Sequence, residues 1–146
     1  MAEGVEFFDE LVRAEILLYN TVDAQLKSAH DVTVGTVEIL SLLESIEHPR
    51  VDDIVRALDL RVGTASKVVD RYVAAGWVER TANPNDRRSS WLVVTDAGKK
   101  LLAAATPAFE ASVHSLTGGL TKAELRSLRT LLAKLSASIE GAVQPS

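Results

Sequence analysis

Residues 52–80, DDIVRALDLRVGTASKVVDRYVAAGWVER, decide the fold, because they hold two helical patterns with a short break between them. In the first, Ile54, Val55 and Leu58 form an apolar stripe behind Asp52 and Asp53, acids that complement the positive end of a helix dipole. In the second, Ala65, Val68, Val69, Tyr72 and Val73 point inward while Thr64, Ser66, Lys67 and Arg71 point outward, until Gly76 stops the helix. A solvated helix face normally mixes acids with bases. This one carries hydroxyls and positive charge.

The chain then changes period. WVER and SSWLVV are rich in β-branched and aromatic residues, and TANPNDRR between them breaks helix and favours a turn, so a two-stranded hairpin with a long basic tip is predicted. Trp77 and Trp91 are placed on its two strands, where they pack the hairpin onto the helices. Upstream, Phe8, Leu11, Val12, Ile16, Tyr19, Val22 and Leu26 recur at helical steps from Val5 to about Ser28. Thr33 then caps a second helix that buries Val34, Val37, Leu40 and Leu43. Downstream, Thr95 caps a helix running from Asp96 towards Ser115 through Pro107, which removes one backbone hydrogen bond. Thr121 and Glu124 match a capping box, and the helix they open spaces Leu125, Leu128, Leu132, Leu135 and Ile139 as a coiled-coil seam.

Charge is distributed unevenly over this order. The 146 residues carry a net −4, yet residues 61–90 hold six basic side chains against three acidic ones, a local +3 in a remainder of −7. Such asymmetry marks a surface for a polyanion. Length and apolar content suit one domain with its own core. The absence of cysteine removes disulfides, thiolate metal sites and thiol redox switches. His30, His48 and His114 are scattered rather than set at a metal-ligand spacing, so neither a metal nor another cofactor is expected. There is no nucleophile elbow, glycine-rich phosphate loop or evident carboxylate pair, and no enzyme is expected. The acidic N-terminus lacks the form of a secretory signal and no apolar run reaches eighteen residues, which predicts a cytoplasmic chain without a membrane span.

Residues 52–80 followed by NDRRSSWLVVTDAG resemble the winged helix-turn-helix of the MarR family of transcription regulators, and the similarity extends over essentially the whole chain. Its most specific parts are SKVVDRYVAAGWVER, and Asp86-Arg87-Arg88, which matches the family's D-x-R wing pattern ahead of T-D-A-G. Two departures are Arg61 at the position of a small polar cap and Gly63 in the first turn of the second helix.

The resemblance implies a mainly α (α+β) fold, with a winged helix-turn-helix unit at 33–95 and dimerisation helices at 5–29 and 96–142. Its expected partner is double-stranded DNA with an imperfect palindrome, bound by a homodimer. Thr64, Ser66, Lys67 and Arg71 would form the face toward the major groove, with Lys67 and Arg71 fixing register through phosphate; Arg61 would contact phosphate, and Arg87 and Arg88 would enter the minor groove. Asp86 would support the wing by pairing with Arg88. A repressor released by a small-molecule effector is implied, with Tyr19, His30 and Trp77 as candidate pocket residues. The competing expectation is a winged-helix protein-interaction module or an effector-binding dimer without DNA binding. Dimerisation also has a physical argument. Covering each large aliphatic side chain of the first and last helices is worth roughly 1.5–3 kcal/mol, a large sum to forgo in a marginally stable fold.

Overall fold

A computed structural model describes residues 2–143. They form α1 (Glu3–His30), α2 (Val34–Ser45), α3 (Val51–Leu58), α4 (Val62–Ala74), β1 (Val78–Ala82), β2 (Ser90–Val94), α5 (Asp96–Leu116) and α6 (Lys122–Val143). The residues group into two compact units divided between Ser112 and Val113.

The first unit contains the tandem helices and the hairpin. Its core joins Ile39, Leu40 and Leu43 of α2, Ile54 of α3, Ala65, Val69 and Tyr72 of α4, and Val78, Leu92 and Val94 of the hairpin. The stripe at 65, 69 and 72 is the inward face expected of α4. Val73 is a correction: at 37% exposure it lies at the edge of that face. The Thr33 hydroxyl accepts the Thr36 N–H at 3.1 Å, starting α2 as predicted. The break between α3 and α4 is made by Asp59, whose left-handed φ of 52° closes α3. Aspartate tolerates this region better than most residues.

The strands pair antiparallel, with Val78 opposite Val94 and Thr81 opposite Trp91. Trp77 is a second correction, since it precedes β1 rather than lying in it. Gly76, with φ of 82°, turns the chain out of α4, and a Trp77 N–H bond to the Tyr72 carbonyl at 2.9 Å follows immediately. That bond belongs to the helix terminus, so Trp77 finishes the helix. Its ring lies 5.7 Å from that of Tyr72. Trp91 is on β2 and stacks on His48 of the α2–α3 loop, ring centres 3.9 Å apart. The same loop gives the Pro49 carbonyl to the Leu92 N–H at 2.8 Å.

Thr95 caps α5 by accepting the Gly98 N–H at 3.2 Å and donating to the Gly76 carbonyl. The helix continues through Pro107. In the second unit, Thr121 and Glu124 exchange backbone-to-side-chain bonds of 3.0 and 3.1 Å, the predicted capping box. None of the residues of α6 is buried, and of its seam Leu128, Leu132 and Ile139 are exposed. In the first unit Phe7, Phe8, Ile16 and Leu17 of α1 are likewise exposed, whereas Val22 and Leu26 are buried.

Candidate nucleic-acid interface

The polar face of α4 stands clear of the core. Thr64, Lys67 and Arg71, separated by three and four residues, form one exposed stripe, and Arg61 is exposed at the N-cap position, making no capping bond with its side chain. Ser66 is half-buried and turned to one side. Val62, in the first turn, is 64% exposed. Sequence reasoning passed over it, because an isolated valine outside the buried stripe has no polar signal.

The hairpin tip is built by side chains that fold back on their own backbone. Asn83, itself buried, accepts the Asn85 N–H at 2.9 Å. Asp86 accepts the Arg88 N–H at 2.9 Å. Both are turns of the kind short Asx side chains make. The expected pairing of the Asp86 carboxylate with the Arg88 side chain is replaced by this backbone bond: the carboxylate fixes the chain at Arg88, and no ion pair joins the two side chains among the described residues. Arg87 and Arg88 are left exposed.

Helix and hairpin come together in a cleft of about 330 Å³. Arg50, Asp52, Ser66, Arg80, Arg88, Ser89 and Ser90 supply its polar walls, three arginines against one acid, and Val51, Val55, Val62 and Leu92 its apolar ones. Ser66 of α4 and Arg88 of the tip thus share one concavity. Arg50 and Arg80 were not among the predicted site residues. Arg80 is partly neutralised by Asp70 of α4 at 2.8 Å, an ion pair that also ties β1 to the helix. The basic window of the sequence contained Arg80, but only the strand register reveals which way it faces.

Arg71 lies elsewhere as well. With Lys27, Asp31, Thr33, Thr36 and Trp77 it walls a second cavity of about 350 Å³. A hydroxyl chain floors it, Tyr72 donating to Thr36 at 3.2 Å and Thr36 bonded to Thr33 at 2.9 Å. Burial pushes the Tyr72 hydroxyl pKa up. Of the three candidate effector residues, Trp77 lines this cavity; Tyr19 and His30 do not. Burial first, and then the charges of Glu38 and Asp23, raise the Tyr19 pKa.

Residues 32–90 match the model of the MarR family. Over that segment the chain is similar to the MarR family. It is 28% identical over 106 residues to the multiple antibiotic resistance protein MarR of Escherichia coli, covering 72% of this chain and 74% of that one. Two solved structures share the fold of this chain. Sco3205 of Streptomyces coelicolor, a MarR family transcriptional regulator in complex with DNA, has a TM-score of 0.86 at 23% identity, covering 100% of this chain and 94% of its own. BpsR of Bordetella bronchiseptica, whose DNA binding is regulated by 6-hydroxynicotinic acid, has a TM-score of 0.80 at 24% identity, covering 90% and 98%.

Proposed function

We propose that this chain is a sequence-specific double-stranded DNA-binding transcription regulator of the MarR type, acting as a homodimer and a repressor. The observation that carries the reading is the shared cleft of Ser66 and Arg88, which sets the cationic face of α4 beside the arginine-bearing tip. A helix with short polar and long basic side chains fits the major groove, and an arginine on a projecting turn fits the narrow, strongly negative minor groove next to it. Thr64, Ser66 and the exposed methyls of Val62 are suited to base edges; Arg61, Lys67 and Arg71 to phosphates; Arg87 and Arg88 to the minor groove. Asp86 supports the tip by holding the Arg88 backbone.

Dimerisation is supported by the exposed apolar side chains of α1 and of α6, each of which would be covered by a second copy. Two copies read two half-sites about one helical turn apart, which makes the operator an imperfect palindrome. The role is regulatory rather than enzymatic, and the protein works in the cytoplasm with access to the genome. Among the described residues no helix is long and apolar enough to cross a membrane.

The cavity bounded by Lys27, Arg71 and Trp77 supports an effector reading for a small aromatic anion, with Asp31 as an opposing charge on its wall. Arg71 serves both cavity and DNA face, so an anion held there competes for a phosphate contact. Tyr19 and His30 are retained in the proposal as neighbours on α1 rather than as walls of that cavity.

The test is enrichment of bound duplexes from genomic DNA, followed by titration of the enriched duplex at several salt concentrations. Specific DNA binding requires a palindromic consensus and a steep linear fall of log affinity with log salt, about 0.9 per phosphate contact. A protein-interaction module enriches no consensus and responds weakly to salt.

A further inference from the structure

Val62 has no role inside the fold. It is 64% exposed, well above Val73 and Val93, and it belongs neither to the buried core nor to the apolar residues packed against that core. Helix propensity does not account for it, because a β-branched side chain is a poor choice at a solvated helix position. Its surroundings are polar: in the cleft it shares with Arg50 and Arg88 it stands one helical turn before Ser66.

Gly63 is a second departure from what the helix needs. Its φ is not positive, and a Cβ added there would meet nothing within 4 Å, so neither a turn nor internal packing asks for glycine. Glycine inside a helix nevertheless lowers stability relative to alanine. The residue is exposed and lies one turn before Lys67 on the cationic stripe. What glycine supplies at this place is a bare first turn that an outside surface can approach closely.

We infer that Val62 reads the 5-methyl group of a thymine in each half-site, and that Gly63 leaves the room for this contact. The inference rests on the DNA-binding reading above and assigns one base to one side chain. Base edges in the major groove present donors and acceptors that match hydroxyls and cations, and the thymine methyl is their apolar feature. A valine pressed against a guanine or cytosine edge covers polar atoms without bonding them, which weakens binding. Against a thymine methyl it removes apolar surface from water on both partners. The cationic neighbours hold the helix in the groove through phosphate, where no base is distinguished. Val62 therefore adds a preference that the charges do not carry.

The experiment uses the full chain and the duplex it enriches from genomic DNA. Each thymidine is replaced in turn by deoxyuridine, which deletes the methyl and keeps every Watson–Crick bond. At one position of a half-site the replacement is expected to weaken binding of the parent about fourfold, the effect of one methyl group returned to water. Val62→Ala, checked for folding by thermal melting, is expected to bind the unmodified duplex at least as weakly as the parent binds that modified one, and to show no further loss there. Gly63→Ala is expected to raise the melting temperature while weakening binding about fivefold or more, opposite signs that a purely structural glycine does not produce. A parent chain that enriches no duplex sinks the DNA-binding reading and this inference with it. Where the parent binds, a full set of deoxyuridine duplexes held as tightly as the original overturns the assignment of Val62 alone. So does a Val62→Ala chain that keeps the response of the parent at every position. Unchanged affinity in Gly63→Ala overturns the close approach on which the contact depends.

Discussion

Gly98 lies against the carbonyl of Trp77 so closely that a methyl group has no room between them: a Cβ at position 98 would collide with the Trp77 oxygen and stand 2.7 Å from Cγ1 of Val94. The obstacle on one side is backbone, which cannot rotate away. Gly98→Ala is therefore expected to destabilise the fold by about 3 kcal/mol, at the upper end for overpacking. Denaturant unfolding measures this, and a loss under about 1 kcal/mol means that α5 shifts freely on the hairpin.

The tip is expected to separate contact from support. Arg88→Ala should weaken binding to the enriched duplex and flatten the log-affinity against log-salt slope by about one unit. Asp86→Ala leaves both arginines in place but frees the Arg88 N–H. It should weaken binding while leaving the melting temperature within about a degree, because the turn is exposed and packs little. Anisotropy titrations at three salt concentrations distinguish the two. An Arg88→Ala slope equal to that of the parent removes the arginine from the interface.

Thr33 caps α2 and anchors the hydroxyl chain to Thr36 and Tyr72. Thr33→Ala removes one capping bond and one hydroxyl partner, and should cost about 1 kcal/mol by chemical denaturation. Thr33→Ser keeps both groups and should restore most of it.

Glu38 supplies a pH test. Its pKa in the folded state is raised by burial, so the folded chain favours the protonated form. The stability it contributes is fully present below the unfolded carboxylate value and is lost as pH rises through the raised folded value. Glu38→Gln should accordingly raise the melting temperature at neutral pH and change it little in acid. The gain stays below about 1 kcal/mol, because solvent still reaches the group. Equal shifts at both pH values exclude the titration.

Covering the exposed helices is what the dimer reading demands. Leu131 of α6 is 61% exposed and Phe8 of α1 62% exposed. A charged residue at either position, Leu131→Glu or Phe8→Glu, leaves the single chain intact and should move the mass in light scattering from dimer to monomer. A monomeric parent protein contradicts the reading outright.

The helices, their caps and the hairpin were legible in the sequence because each is set by neighbours within a few positions: Thr33 before its helix, Gly76 after one, Asn and Pro clustered in the tip. The exposed stripe of α4 was legible for the same reason, through its period. What lay beyond reach depends on register and on contacts distant in the chain. Arg50 and Arg80 enter the cleft because the α2–α3 loop bonds to β2 and the Arg80–Asp70 pair holds β1 against α4. The role of Asp86 was misassigned between two donors of the same residue, the Arg88 guanidinium and the Arg88 backbone N–H, which no spacing distinguishes. Val73 and Trp77 fell at helix ends, where an inward stripe fades and the next element begins.

The His48 stack on Trp91 and the Pro49 bond to Leu92 fasten the strand that leaves the tip to the α2–α3 loop, while the turn itself closes on the side chains of Asn83 and Asp86 and on backbone bonds within residues 83–89. Strand and turn are thus separately specified. Residues 84–89 can be exchanged for those of another regulator without disturbing the helices beneath, which makes this loop a natural place to graft new operator preference.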